Sequence, residues 1–221
     1  MIPMSAARLR FILPILLLGC LVCPACAQEQ PRILFFLHNR FLEEHALDDI
    51  HPDYGRVAYA EIIRTFEAAG LTVISELRSG NVNARNYAAG ICRQIDSLLA
   101  AGIPPGHITV AGTSKGGYIA QYVSTLAAHP ELKFVFIASH RDEDLGQLPD
   151  IQYCGNILTI YERSDPLGVS ARARIAASRC DIRHAAEIEL HTGLGHGFLF
   201  RPLPEWTVPT IRWARGEYGL E

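Results

Sequence analysis

The sequence predicts an α/β fold built on a doubly wound, mostly parallel sheet of about six strands. Short continuous apolar runs, beginning with Arg32 to His38 (RILFFLH), alternate along the chain with stretches of helical periodicity. Continuous apolar character is what a strand needs when helices cover both of its faces. The third observation is size: 221 residues, 49% hydrophobic and 19% charged, is ordinary composition for a single globular domain.

The first segment stands apart from the fold. Arg8 and Arg10 form a positive start, Phe11 to Cys23 is apolar and contains Pro14, and Ala25-Cys26-Ala27 supplies the small residues that a signal peptidase reads. A signal peptide over residues 1–27 is expected, and with it a periplasmic or secreted protein. The run is short and broken by proline for a membrane span, so an anchor or a buried helix is the lesser reading. Leu17-Leu18-Gly19-Cys20 loosely resembles a lipobox, which leaves a lipoprotein attached through Cys20 open.

Each later element has its own signal. Asn39 to Tyr54, dense in acidic and histidine residues, reads as an irregular loop. Val57, Ala60, Ile63 and Phe66 recur at helical spacing within 55–69, and Gly70 ends the run. Leu71 to Glu76 is a second strand, followed by a Ser79-Gly80-Asn81 turn. Tyr87, Ile91, Ile95 and Leu98 mark the next helix, which ends near Gly102 before Pro104-Pro105-Gly106. Ile108 to Gly112 is the third strand and Tyr118 to Ala128 a helix rich in small residues. Leu132 to Ser139 and Asn156 to Tyr161 are the fourth and fifth strands. A helix over Ser170 to Ser178 and a sixth strand over Ala185 to His191 follow, and Trp206, Ile211 and Trp213 place a last helix on the sheet.

Charge and cysteine content narrow the chemistry. A net charge of -3 with no Lys/Arg block gives no footprint for nucleic acid. Three cysteines, Cys92, Cys154 and Cys180, remain after the leader. Cys92 shares a helical stripe with Ala88, Ile95 and Leu99 and reads as a core thiol. Cys154 and Cys180 flank one strand-to-helix unit and are the expected disulfide. The histidines lack metal-ligand spacing, so neither a metal nor another cofactor is expected.

The chemistry-bearing stretch is Gly112-Thr113-Ser114-Lys115-Gly116-Gly117, between the third strand and its helix. A nucleophile on such a turn needs a strained backbone, and glycines two positions to either side remove the Cβ atoms that would clash. The following helix directs its first amides at a developing oxyanion. A serine hydroxyl needs a base. His196 lies in a Gly-rich loop after the last strand, whereas His191 ends that strand and reads as structural. Asp165, in Glu162-Arg163-Ser164-Asp165-Pro166 after the fifth strand, is the expected orienting acid, with Asp142, Asp144 and Glu162 as fallbacks. The chain order serine, acid, histidine is one known arrangement of such triads.

With the elbow at Ser114, the Ser164-Asp165 turn and the Gly195-His196-Gly197 loop in view, the chain resembles a small α/β-hydrolase from Arg32 almost to its end, residues 28–221 forming that domain. The resemblance implies an oxyanion hole made by the Lys115 amide and one from the loop His38-Asn39-Arg40-Phe41. Asn39 departs from the His-Gly found in many relatives, so Asn39, Arg40 and Phe41 all stay open as the second donor. The usual leading antiparallel strands are missing, and Ser139 to Gly155, where relatives insert a lid, is only a loop. The family's strand order would be 2-1-3-4-5-6, bringing the nucleophile and oxyanion loops together at the topological switch point.

The expected activity is cleavage of an ester, on a small molecule or a carbohydrate, through an acyl-serine intermediate. An exopeptidase or amidase is the enzymatic alternative, and a non-catalytic binding protein the other. The Glu43, Glu44, His45, Asp48, Asp49, His51 cluster reads first as a solvated loop and second as a substrate rim. Arg78 and Arg141, after strand ends, are candidates for an acidic leaving group.

Overall fold

The computed structural model of the chain describes residues 30–219. The expected signal peptide and the Cys20 lipobox lie outside those residues. Among the described residues no helix is long and apolar enough to cross a membrane.

The elements follow in chain order. β1 is Ile33–Leu37, α1 Phe41–Glu44, β2 Ile50–His51, β3 Gly55–Arg56, α2 Tyr59–Ala68, β4 Thr72–Ile74 and α3 Ala84–Ala100. β5 is Ile108–Thr113, α4 Lys115–Ala127, β6 Lys133–Ile137 and α5 Asp144–Gln147. β7 is Gly155–Glu162, α6 Arg172–Ala177, β8 Ile182–Leu190 and α7 Pro204–Arg215. Six strands form one parallel sheet in the order β4-β1-β5-β6-β7-β8, the doubly wound order expected.

Alternation along β1 shows why its run is continuously apolar. Leu34 and Phe36 enter one core with Phe66 of α2 and Trp206 and Trp213 of α7. Ile33, Phe35 and Leu37 enter the other, with Ile91 and Ile95 of α3 and Ile119 and Val123 of α4. Side chains point to opposite faces every second residue, so a strand covered twice must be apolar throughout. Each fully buried leucine, isoleucine or phenylalanine contributes about 1.5–3 kcal/mol by leaving water.

Several boundaries differ from expectation. The segment 39–54 is not wholly irregular: it holds α1 and most of a two-stranded hairpin, β2 paired antiparallel with β3. Aromatic stacking orders it, with Phe41 on His45 at 4.2 Å, His51 on Tyr54 at 4.4 Å, and Phe200 against both Phe41 and Tyr54. α2 begins at Tyr59 because Gly55 and Arg56 belong to that hairpin, and Gly55 turns with φ of 79°. β8 starts three residues early, at Ile182, since pairing with β7 runs from Gly155 onward. The loop between β6 and β7 contains only the single turn α5, and among the described residues no lid domain stands over this end of the sheet.

Cys154 and Cys180 are joined, with Cα atoms 5.1 Å apart and a sequence separation of 26. The bridge ties the start of β7 to the approach to β8. Closing a loop of that length stabilises the fold by about 3.5 kcal/mol in the chain-entropy account. Replacing both cysteines by serine should lower the urea midpoint correspondingly, and intact mass before and after reduction should report one bridge. Three free thiols in the isolated protein would exclude it. Among the described residues Cys92 is the free cysteine and is only half-buried; desolvation pushes its thiol up to about 11, which suits an inert packing role.

Candidate active site

Ser114 sits between β5 and α4 with φ of 51° and ψ of -120°. That region is rarely occupied by residues with a side chain, and holding one there costs on the order of 1–3 kcal/mol. The cost is met by packing that only glycine permits. A Cβ on Gly112 would collide with the backbone of Gly116, and one on Gly116 with the carbonyls of Leu37 and His38. The helix therefore begins at Lys115, three residues before the periodicity of its apolar face. Its first turn lies directly on the end of β1, so the Lys115 amide and the His38–Phe41 loop adjoin. Gly116→Ala is expected to destabilise the protein by more than a typical surface change, since both obstructing atoms are backbone. Thermal unfolding measures it; an unaltered midpoint would mean that the loop after β1 is not locked there.

His196 and Asp165 reach Ser114 from the two loops at the far strands. His196 Nε2 lies 2.9 Å from Ser114 Oγ, and its Nδ1 lies 2.6 Å from Asp165 Oδ2. Asp165 is buried, and its other oxygen accepts the Leu167 amide at 2.8 Å. With both oxygens so placed, the Nδ1 proton is donated to Asp165 and the Nε2 lone pair faces the serine hydroxyl. The structure thus brings together Ser114, Asp165 and His196. His191, with its ring mostly exposed and 3.3 Å from Glu189, stays on the outside.

The fallback acids have other partners. Asp144 Oδ2 accepts the Tyr118 hydroxyl at 2.5 Å and the Arg141 amide at 2.8 Å, while Asp142 is exposed. Glu162 Oε1 accepts the Ser164 amide (3.1 Å) and hydroxyl (2.8 Å), and its Oε2 accepts the Thr192 amide (2.8 Å) and hydroxyl (2.7 Å). Burial alone would raise this carboxyl, but the bonds from Thr192 and Ser164 outweigh it and hold it at about 2.

The oxyanion side is a buried polar assembly. Glu43 was expected in a solvated cluster; instead its side chain is fully buried and accepts the Lys115 ammonium at 2.6 Å. It also accepts the Val82 amide, and lies 3.7 Å from the guanidinium of Arg78. Arg78 in turn donates to the His38 carbonyl. Arg78 is therefore buried beneath the rim and not free for a leaving group, whereas Arg141 is exposed. Glu44, His45, Asp48 and Asp49 face solvent as expected, and His51 is half-buried in the aromatic stack. Sequence reasoning missed Glu43 because only its neighbours in space distinguish it from Glu44.

His38 accepts the Arg78 amide at Nε2 (2.8 Å), so its Nδ1 carries the proton donated to the Asn39 carbonyl, also at 2.8 Å. That bond fixes the Asn39–Arg40 peptide plane and turns the Arg40 amide away from the His38 ring. The Asn39 side chain takes the Leu42 amide at 3.3 Å. Burial, and then the charge of Arg78, push His38 down from 6.5 to about 4.

These two groups set the sign of the acid response. Unfolded, His38 takes its proton near 6.5, whereas the folded protein resists until about 4, so stability falls as pH drops through that window. Glu162, near 4.5 when unfolded and about 2 when folded, continues the loss between those values. Urea denaturation at stepped pH should show stability declining from about pH 6.5, and His38→Gln should flatten the part above pH 4.5. Parallel profiles for the two proteins would contradict the assignment to His38.

No protein-family model matches this chain, and no curated protein matches it. Solved structures do. SOBER1 of Arabidopsis thaliana is similar with a TM-score of 0.55 at 14% identity, covering 85% of this chain and 99% of that one. An arylesterase gives 0.57 at 16% identity, covering 86% of this chain and 77% of its own. An esterase from Rhizomucor miehei gives 0.56 at 16%, covering 88% and 77%. At such identities the likeness is one of fold: this chain has the α/β-hydrolase fold.

Proposed function

We propose that the protein is an exported serine hydrolase that cleaves a carboxylic ester on a small molecule or carbohydrate, with Ser114 as nucleophile, His196 as base and Asp165 as orienting acid. The observation that carries this reading is the unbroken series Ser114 Oγ, His196 Nε2, His196 Nδ1, Asp165 Oδ2 at 2.9 Å and 2.6 Å on a strained elbow. The fold neighbours, which include esterases, support it.

The chemistry follows from the geometry. Ser114 Oγ attacks the ester carbonyl carbon while its proton passes to His196 Nε2, and Asp165 stabilises the resulting imidazolium. The carbonyl oxygen becomes an oxyanion, for which the Lys115 amide, at the first position of α4 and without an intrahelical acceptor, is one donor. A backbone amide of the Asn39–Arg40–Phe41 loop is the second. Collapse expels the alkoxide, which takes the proton from His196 and leaves as an alcohol. Water then repeats the sequence on the acyl-serine and restores Ser114. The short β6–β7 connection, with only the single turn α5, suits a small acyl group carried on a larger body. Export is supported by the leader composition and by the Cys154–Cys180 bridge, which persists in an oxidising compartment.

A fluorophosphonate probe tests the nucleophile: stoichiometric labelling at Ser114 is expected, and a protein that does not react is not a serine hydrolase. A panel of nitrophenyl esters set against aminoacyl amides tests the bond, with turnover expected on short acyl esters. Preference for the amides would replace the esterase reading with the exopeptidase one.

A further inference from the structure

The two loops that supply Asp165 and His196 come from neighbouring strands, β7 and β8, and each is short and rich in turns. The 2.6 Å bond between Asp165 and His196 is one direct link between these loops, and its geometry depends on what else holds them in register. Glu162, the last residue of β7, is buried at 1% exposure and touches no reacting atom. Its carboxylate lies between the loops and collects donors from both. On the acid side it takes the amide and hydroxyl of Ser164 at 3.1 and 2.8 Å; on the histidine side it takes the amide and hydroxyl of Thr192 at 2.8 and 2.7 Å, and the Gly193 amide at 3.3 Å.

The hydroxyls carry the link further. Ser164 Oγ, whose O–H donates to Glu162, accepts the Gly195 amide at 3.1 Å, and Thr192 Oγ1 likewise accepts the Leu194 amide at 3.3 Å. Ser164 precedes Asp165 in the chain, and Gly195 precedes His196. The clamp therefore ends one residue from each partner of the catalytic bond. Among the described residues no cation lies within 4 Å of Glu162, so its charge is balanced by hydrogen-bond donors alone. Five donors on one carboxylate use its acceptor capacity fully, which leaves no role for it as an acid or base in the reaction.

We propose that Glu162 is a positioning residue for this site, holding the Asp165 turn and the His196 loop in the register that the Asp165–His196 bond requires. This rests on the triad reading given above, and it assigns Glu162 a part that is neither the triad acid nor a mere strand terminus. Glutamine is the informative replacement because it keeps the shape. Its amide nitrogen, itself a donor, must face either the Ser164 pair or the Thr192 pair, so one loop loses its acceptor and meets a repelling group. A displacement of about 1 Å between groups that must align costs roughly 10²-fold in rate.

Two measurements on the full-length mature protein test this, one of them independent of activity. The first is the low-field proton resonance of His196 Nδ1–H, which a short bond to Asp165 produces; Glu162→Gln should weaken or shift it in a protein that is still folded. The second is steady-state hydrolysis of a nitrophenyl ester, in which kcat should fall roughly a hundredfold while KM changes little. Because Glu162→Gln could fail to fold, Ser164→Ala is the companion: it keeps the carboxylate, cuts the link to Gly195, and should show the same resonance change with a smaller loss of kcat. Both variants are assayed well below their melting temperatures. A resonance and kcat equal to the parent's in either folded variant would overturn the proposal, because a purely structural residue lowers the melting temperature without altering the site that remains. If the parent itself neither labels with fluorophosphonate nor turns over ester, the hydrolase reading has failed, and the resonance still decides whether Glu162 sets the pair.

Discussion

Ser114→Ala is expected to remove ester turnover to the level of the uncatalysed background supplied by binding alone, a loss on the order of 10⁵–10⁶-fold in kcat, and to abolish fluorophosphonate labelling. The fold should survive. What holds the elbow is the contact of Gly112 with Gly116 and of Gly116 with the carbonyls of Leu37 and His38, and none of these involves the hydroxyl. Alanine keeps the Cβ and so keeps the strain of φ 51°. Glycine at the same position relieves it, so Ser114→Gly should be equally inactive but more stable than Ser114→Ala by about 1 kcal/mol or more. That difference separates the two roles of the residue: the side chain for chemistry, the backbone for presenting it. His196→Ala should match Ser114→Ala in rate, since the members act as a unit. A Ser114→Ala protein that retains near-parental turnover would end the assignment of the nucleophile, and a loss seen with His191→Ala but not His196→Ala would move the base.

The sheet was legible because its signal is local. Each strand buried on both faces is a short apolar run, and the order of strands and helices restricts the topology to few solutions. The convergence of Ser114, Asp165 and His196 was legible for a related reason: each follows a strand at the same end of the parallel sheet. The Cys154–Cys180 pair flanks one unit and needs no distant information.

What the sequence concealed is long-range and polar. Glu43 and Glu44 are chemically identical neighbours, yet one is fully buried against Lys115 and Arg78 while the other pairs with Arg40 at the surface. Nothing in their spacing separates them, because the partners lie about 35 and 70 positions away in the chain. In the sequence Glu162 is only a spare acid for the same reason: its donors, Ser164 and Thr192, are ordinary turn residues until β7 and β8 are placed side by side. The hairpin in 50–56 was hidden by its charge. Its order comes from Phe41, His51 and Tyr54 closing on Phe200, a contact across some 150 residues. In each case an irregular segment at the carboxyl end of the sheet is fixed by a buried group that no periodicity announces.

Asp165→Asn should reduce kcat by about 10⁴-fold with little change in stability. The structure gives the reason in terms of donors. Asp165 Oδ1 accepts the Leu167 amide at 2.8 Å, and Oδ2 faces His196 Nδ1 at 2.6 Å. Asparagine has one oxygen for these two donors. Kept on Leu167, that oxygen leaves the amide nitrogen pointing at His196, where it can only donate. Nδ1 must then become the acceptor, the ring proton moves to Nε2, and the lone pair that should receive the Ser114 proton is gone. Flipping the amide restores the tautomer but sets a donor against the Leu167 amide, at a cost of about 1–3 kcal/mol for the unsatisfied pair. The first arrangement therefore dominates, and the loss is one of proton acceptance and not of shape. Unlike Ser114→Ala, this variant keeps its nucleophile, so slow labelling by fluorophosphonate should persist and accelerate as rising pH generates more alkoxide. Asp144→Asn, whose contacts run to Tyr118 and the Arg141 amide, should leave kcat within about tenfold, because it touches neither ring nitrogen of His196. If Asp144→Asn is the crippling change and Asp165→Asn the mild one, the acid comes from the loop after β6 and the Asp165–His196 contact is structural.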